Sequence, residues 1–138
     1  MVGILIIAHG TLGESLIHCA SHVMGGRPAN LVHIGVSKLD DPQLVLPQAI
    51  NLLRGIDQGS GILVLSDVYG ATPSNIACKL LISGKIEGVA GVNLPMLVRA
   101  LTYRNEALKI VVAKAISGGI EGVMQMPGAQ VRNAATGN

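Results

Sequence analysis

The stretch Val2-Gly3-Ile4-Leu5-Ile6-Ile7-Ala8-His9-Gly10-Thr11-Leu12-Gly13-Glu14 decides the fold. Val2 to Ala8 is an unbroken apolar run rich in isoleucine, the pattern of a strand covered on both faces. It stops at His9-Gly10. Thr11-Leu12-Gly13-Glu14 has capping-box spacing, and Leu12, Leu16, Ile17, Ala20, Val23 and Met24 follow at helical spacing until Gly25-Gly26. A two-sided strand running straight into an amphipathic helix is the opening of a parallel α/β unit.

The same alternation continues outward. Leu31 to Val36 reads as a second strand, and Asp40-Asp41-Pro42 as the start of a helix to about Leu53, which Pro47 either delays or kinks. Gly61 to Ser66 is a third buried strand, followed by a Thr72-Pro73 helix start and a stripe of Ile76, Ala77, Leu80 and Leu81 closed by Gly84. Gly88 to Val92 reads as a short central strand and Pro95 opens a helix of about two turns. Asn105 caps a longer helix to Ser117, stopped by Gly118-Gly119, and Ile120 to Met126 reads as a last strand. The pattern predicts one α/β domain over residues 1–126, doubly wound, with a mainly parallel open sheet and helices on both faces. Residues 127–138 form a Gly, Ala and Asn tail expected to be disordered.

Composition narrows the function. Of 138 residues 49% are hydrophobic, yet the aromatics are two tyrosines alone, so the core is aliphatic and base-stacking surfaces are disfavoured. Charged residues are 13%, about half the usual ~25%, which leaves a surface expected to find cover in self-association. The net charge of +2 comes from scattered Lys and Arg, with no patch for nucleic acid or lipid. Two cysteines and a start without a cationic leader point to a reduced, cytoplasmic protein. No GxGxxG follows the first strand and no P-loop is present, so nucleotide binding is not expected.

In open α/β sheets, ligands sit at the carboxyl ends of the strands where strand order reverses. His9 and Asp67 follow the first and third strands, and adjacent strands there would bring them together. A carboxylate accepting from imidazole Nδ1–H fixes the tautomer and leaves Nε2 free as a nucleophile or ligand. Helix N-termini near Thr11 and Thr72 suit an anion. The set points to phosphoryl transfer through phosphohistidine. His18 and His22, four apart, lie opposite the apolar stripe and read as exposed polar residues rather than a metal pair; no metal site or cofactor is expected. His33 reads as structural, and Cys19 and Cys78 as packing residues.

Ile4-Leu5-Ile6-Ile7-Ala8-His9-Gly10, Ser66-Asp67-Val68-Tyr69-Gly70-Ala71-Thr72-Pro73-Ser74-Asn75 and Gly91-Val92-Asn93-Leu94-Pro95-Met96, in this order, resemble three segments of the IIA component of the bacterial mannose-type (mannose/fructose/sorbose) phosphotransferase system. The resemblance covers about residues 1–124. It implies a phosphocarrier for carbohydrate uptake or its regulation, in which His9 accepts a phosphoryl group from phospho-HPr and passes it to a IIB component. It implies further that Asp67 orients the imidazole and that Gly10, Thr11, Tyr69, Gly70 and Thr72 surround the phosphoryl group. It also implies a homodimer that exchanges the last strand, here Ile120 to Met126, and contact with a membrane only indirectly through a IIC/IID permease. With no IIB domain following in this sequence, the acceptor is expected on a separate chain. Tyr69 stands where the family often has Trp, and Ala71 where it has a second Gly. The apolar start ending in His9-Gly10 is also similar to small chelatases that insert metal into tetrapyrroles, where His9 would be a metal ligand, but no histidine follows His33. A non-catalytic dimeric binding module is the third reading.

Overall fold

The computed structural model describes residues 1–129. Four parallel strands, β1 (Gly3–His9), β2 (Leu31–Val36), β3 (Ile62–Ser66) and β4 (Ile86–Ala90), form a sheet of order β2-β1-β3-β4. Five helices complete the described chain: α1 (Leu12–Met24), α2 (Pro42–Ile56), α3 (Thr72–Cys78), α4 (Leu94–Tyr103) and α5 (Leu108–Glu121). The doubly wound α/β architecture is the one the sequence predicts. β1 pairs with β2 from Ile4↔Leu31 to His9↔Val36, and with β3 from Gly3↔Ile62 to Ile7↔Ser66.

Alternation along β1 divides the core. Ile4, Ile6 and Ala8 pack with Leu16, Ile17 and Ala20 of α1, Leu97 and Ala100 of α4, and Val111 and Ala115 of α5. Leu5 and Ile7 pack on the other face with Val45, Ala49 and Leu53 of α2 and Ile76 and Ala77 of α3. Every residue from Ile4 to Ala8 is fully buried, which is why the run carries no polar alternation.

Several boundaries differ from the sequence reading. On α1, Leu12, Val23 and Met24 are exposed, because the buried face is the narrower set Gly13, Leu16, Ile17 and Ala20. Thr11 makes no side-chain cap bond. Asp41 caps α2 by accepting the Gln43 N–H at 2.9 Å, and the helix neither starts later nor stops at Pro47. Thr72 lies inside α3, with Ala71 at the N-cap. Among the described residues β4 is an edge strand, not a central one.

The largest correction is at the C-terminal end. Helix α5 starts at Leu108, not at Asn105, and runs through Gly118-Gly119 to Glu121. These glycines are contact residues: a Cβ at Gly118 would stand 2.7 Å from Arg99 Cβ, and one at Gly119 2.8 Å from Met96 Cε. They let α5 lie close on α4 instead of breaking it. Asn93 fastens the crossing, since its Oδ1 accepts the Met96 N–H at 2.9 Å while its Nδ2 donates to Gly119 O at 3.1 Å. Ile120 to Met126 is therefore not a strand here. Ile120 ends in the helix, and Val123, Met124 and Met126 are exposed without regular structure. Of the tail expected from Pro127 onward, residues 130–138 lie outside the described residues.

One buried charge had no signal in the sequence. Arg104, 7% exposed, donates from Nε and Nη2 to Val2 O, from Nη1 to Ala29 O and from Nη2 to Asn30 O. Burial pulls its pKa below the usual arginine value. The fork joins the end of α4 to the start of β1 and to the α1–β2 turn, and its donors meet peptide carbonyls in place of water.

Candidate functional site

The reversal of strand order falls between β1 and β3, the place where ligands gather in open sheets. His9 ends β1, and Asp67 follows β3 by one residue. Adjacent parallel strands stand about 4.8 Å apart, so the two side chains meet across one inter-strand spacing. His9 Nδ1 donates to Asp67 Oδ2 at 2.7 Å, and the backbone N–H of His9 donates to the same oxygen at 3.0 Å. Asp67 Oδ1 accepts the Val68 N–H at 3.0 Å.

The pair is asymmetric in exposure. The His9 side chain is 54% exposed and that of Asp67 10%. Burial, the largest single influence on Asp67, pushes its pKa up. The N–H groups of His9, its imidazole and Val68 together outweigh that, and the carboxyl ends below its ordinary value. The ionised carboxylate holds the Nδ1–H tautomer and leaves Nε2 with a lone pair on an exposed ring.

The other site residues divide by what their polar groups already do. The Gly10 N–H is committed to Val36 O at 3.0 Å, and the Gly70 N–H to Ser74 Oγ at 2.8 Å. Both glycines have positive φ, 53° and 90°, so they shape the turns after β1 and β3 rather than supplying donors. Thr11, Tyr69 and Thr72 are exposed at the same end of the sheet, with their hydroxyls unengaged among the described residues. Leu39 and Tyr69, 97% and 78% exposed, put apolar surface on the loops flanking His9.

The remaining candidates stay apart from this end. His18 and His22 are exposed on α1, as expected. His33 sits half-buried under α1, with its Nδ1 unpartnered among the described residues. Cys19 and Cys78 are exposed, not packed: each falls on the outward side of its helix. Among the described residues no three His, Cys, Asp or Glu side chains cluster to hold a metal ion. No described helix is long and apolar enough to cross a membrane.

Fold and site define an open-sheet α/β protein with an exposed, carboxylate-oriented imidazole at its switch point. Residues 3–116 match the family model described as PTS system fructose IIA component, EIIA-man. The chain belongs to this family of mannose- and fructose-type IIA components. It is 30% identical over 137 residues to the PTS system mannose-specific EIIAB component of Escherichia coli K12, covering 97% of this chain and 42% of that protein. The chain thus spans less than half the length of that relative. It is also 30% identical to the PTS system fructose-specific EIIA component of Bacillus subtilis, over 79% of this chain and 75% of that one. Among solved structures, phosphotransferase system component EIIA from Streptococcus agalactiae superposes with a TM-score of 0.77 at 28% identity, over 91% of this chain and 97% of that one. The mannose/sorbose specific IIA subunit from Enterococcus faecalis shares the fold at 0.81 and 21% identity, over 91% and 95% of the two chains.

Proposed function

We propose that this chain is a phosphocarrier of the phosphoenolpyruvate-dependent phosphotransferase system, with His9 as the group that is phosphorylated. The observation that carries the reading is the 2.7 Å bond from His9 Nδ1 to Asp67, which directs the free lone pair of Nε2 outward. In the first step that lone pair attacks the phosphorus of a phosphohistidine on HPr. The Nε2–P bond forms as the donor's N–P bond breaks, and the donor imidazole leaves with the electron pair. His9 keeps its Nδ1 proton and becomes cationic at the ring. Asp67, ionised and nearly buried, stabilises that charge.

The phosphoryl oxygens are received by the hydroxyls of Thr11, Tyr69 and Thr72 and by the unpaired N–H groups that open α1. Gly10 and Gly70 contribute the turns that place those donors. The second step reverses the first, with a nucleophile of a IIB component attacking the same phosphorus. Exposed Leu39, Val68 and Tyr69 give a protein partner apolar area beside His9. Homodimer formation through residues 120–126 is part of the reading, supported by the edge of β4, which no described strand covers, and by the exposed Ile116, Ile120 and Val123 nearby.

The test is incubation of the full chain with enzyme I, HPr and phosphoenolpyruvate. Uptake of one acid-labile, base-stable phosphoryl group is expected. The absence of label with active HPr present would overturn the reading.

A further inference from the structure

At the end of the sheet opposite His9, where β3 and β4 begin, the last turns of α2 and the chain after α3 frame a groove of about 340 Å³ that opens to solvent. β3 has five residues at about 3.3 Å each, so the groove lies roughly 17 Å from the His9–Asp67 pair, with which it shares no residue. Buried Leu53, Ile62 and Leu80 form its floor, and Ile50, Ile82 and Ile86 line it nearer the surface.

The walls are set before anything binds. Ile82 is 53% exposed, yet backbone bonds that need no apolar side chain hold it in place. Its N–H donates to Ile86 O at 3.0 Å, and its carbonyl accepts the N–H groups of Lys85 and Ile86 at 2.9 and 2.8 Å. On the α2 side, the Asp57 N–H donates to Leu53 O at 3.1 Å while Asp57 Oδ1 accepts the Gly59 N–H at 2.8 Å. A ligand meets walls that need no ordering, which removes one of the costs of association. The charge around the groove is uneven. Arg54 and Lys79 line it from the two sides, and neither forms a hydrogen bond or ion pair with a described residue. Asp57 is the only carboxylate among the lining residues, so one positive charge is left over beside an aliphatic surface.

We infer that this groove is a binding site, separate from His9, for the anion of a medium-chain aliphatic carboxylic acid. Size sets the chain length: an engineered apolar cavity of about 150 Å³ holds benzene, so 340 Å³ takes roughly thirteen non-hydrogen atoms, a body of about eight to ten carbons with its carboxylate. Charge sets the head group. One spare positive charge matches a carboxylate, whereas a phosphomonoester brings about −1.5 to −2. The Arg54 guanidinium suits a carboxylate in its planar, two-donor geometry, and Lys79 adds charge from the other side. The isoleucines and leucines cover the alkyl chain; no aromatic ring lines the groove for an aryl group to stack on. The site does not depend on the phosphocarrier reading, and it stays open while a protein partner sits at His9.

The experiment is a titration of the methyl-13C-labelled full chain with octanoate. Saturable shifts are expected at the methyl groups of Ile50, Ile62, Ile82 and Ile86, with a Kd on the order of 0.1–1 mM, as suits a ligand of this size. Acetate, which lacks the chain, should give no saturation, and 1-octanol, which lacks the charge, should bind at least about ten-fold more weakly. Ile82→Glu, which sets a carboxylate on an exposed wall, should abolish octanoate binding. The paired change Arg54→Gln and Lys79→Gln should remove the preference for octanoate over 1-octanol, and it tests the site independently should the first variant not fold. Shifts that climb linearly and everywhere would overturn the site, as would equal affinity for octanoate and 1-octanol in the parent chain or an unchanged octanoate Kd in a folded Ile82→Glu protein. An Ile82→Glu protein that sediments as a smaller species than its parent would give the groove to a second copy of the chain and overturn the assignment too.

Discussion

Asp67 Oδ2 holds His9 twice, accepting the imidazole Nδ1–H at 2.7 Å and the same residue's backbone N–H at 3.0 Å. One oxygen thereby locks the ring to the strand end that carries it. Rotation about χ1 of His9 would break the first bond and leave the second, so the ring direction depends on Asp67 while the chain path does not.

Replacing His9 by Ala is expected to abolish phosphoryl uptake, although His18, His22 and His33 remain. Two of those are exposed, so mere accessibility is not what the chemistry needs. Phosphopeptide mapping after labelling checks this, and label retained by the His9→Ala protein would reassign the acceptor.

Removal of the carboxylate by Asp67→Ala should slow transfer without unfolding the chain. A hydrogen bond to a charged group is worth roughly 1.5–3 kcal/mol, which corresponds to a loss of about 10- to 100-fold in rate. Ring 15N shifts should show the His9 tautomers becoming mixed. A single Nδ1–H tautomer in the variant would mean that another group orients the ring.

The depressed pKa of Asp67 has a pH signature. Because its folded value lies below the ordinary 3.8, the stability it contributes is present above that value and is lost as pH falls through the folded pKa. Asp67→Asn should therefore flatten the part of the stability profile below about pH 4. Urea midpoints at pH 3 and pH 6 measure it; an equal acid loss in both proteins would assign the effect to other carboxylates.

Arg104→Met should cost about 3 kcal/mol, since it takes two donors from the buried Val2 carbonyl and one each from those of Ala29 and Asn30, the last of which keeps the Ile4 N–H. Arg104→Lys should recover little, because an ammonium cannot span three carbonyls as the planar fork does. Denaturant unfolding of both variants is the measurement, and near-wild-type stability of the lysine form would contradict this account.

Gly35 lies against Gly10 so closely that a Cβ would run into the Gly10 carbonyl oxygen. Gly35→Ala should force the turn after His9 outward, destabilising by about 1–3 kcal/mol and reducing transfer. Gly26→Ala, at a site with open space and no positive φ, serves as the control and should change neither.

The sequence by itself determined the layer order and the meeting of His9 with Asp67. A seven-residue strand buried on both faces can only be central, and chain residues placed just after such strands must come out at one end of the sheet. That made His9 and Asp67 readable as partners, because both facts are local and need only the parallel topology. The tertiary structure alone decided what depends on distance between elements. Gly118-Gly119 has the composition of a helix stop, yet α4 approaches so closely that glycine is the residue that lets α5 continue. Ile120 to Met126 has the composition of a strand, but α5 takes up Ile120 and, among the described residues, nothing after it joins the ladder at the edge of β4, and strand form depends on a partner for its N–H and C=O groups. Arg104 gave no signal because its partners are backbone carbonyls, which every sequence contains; only folding brings Val2, Ala29 and Asn30 within its reach.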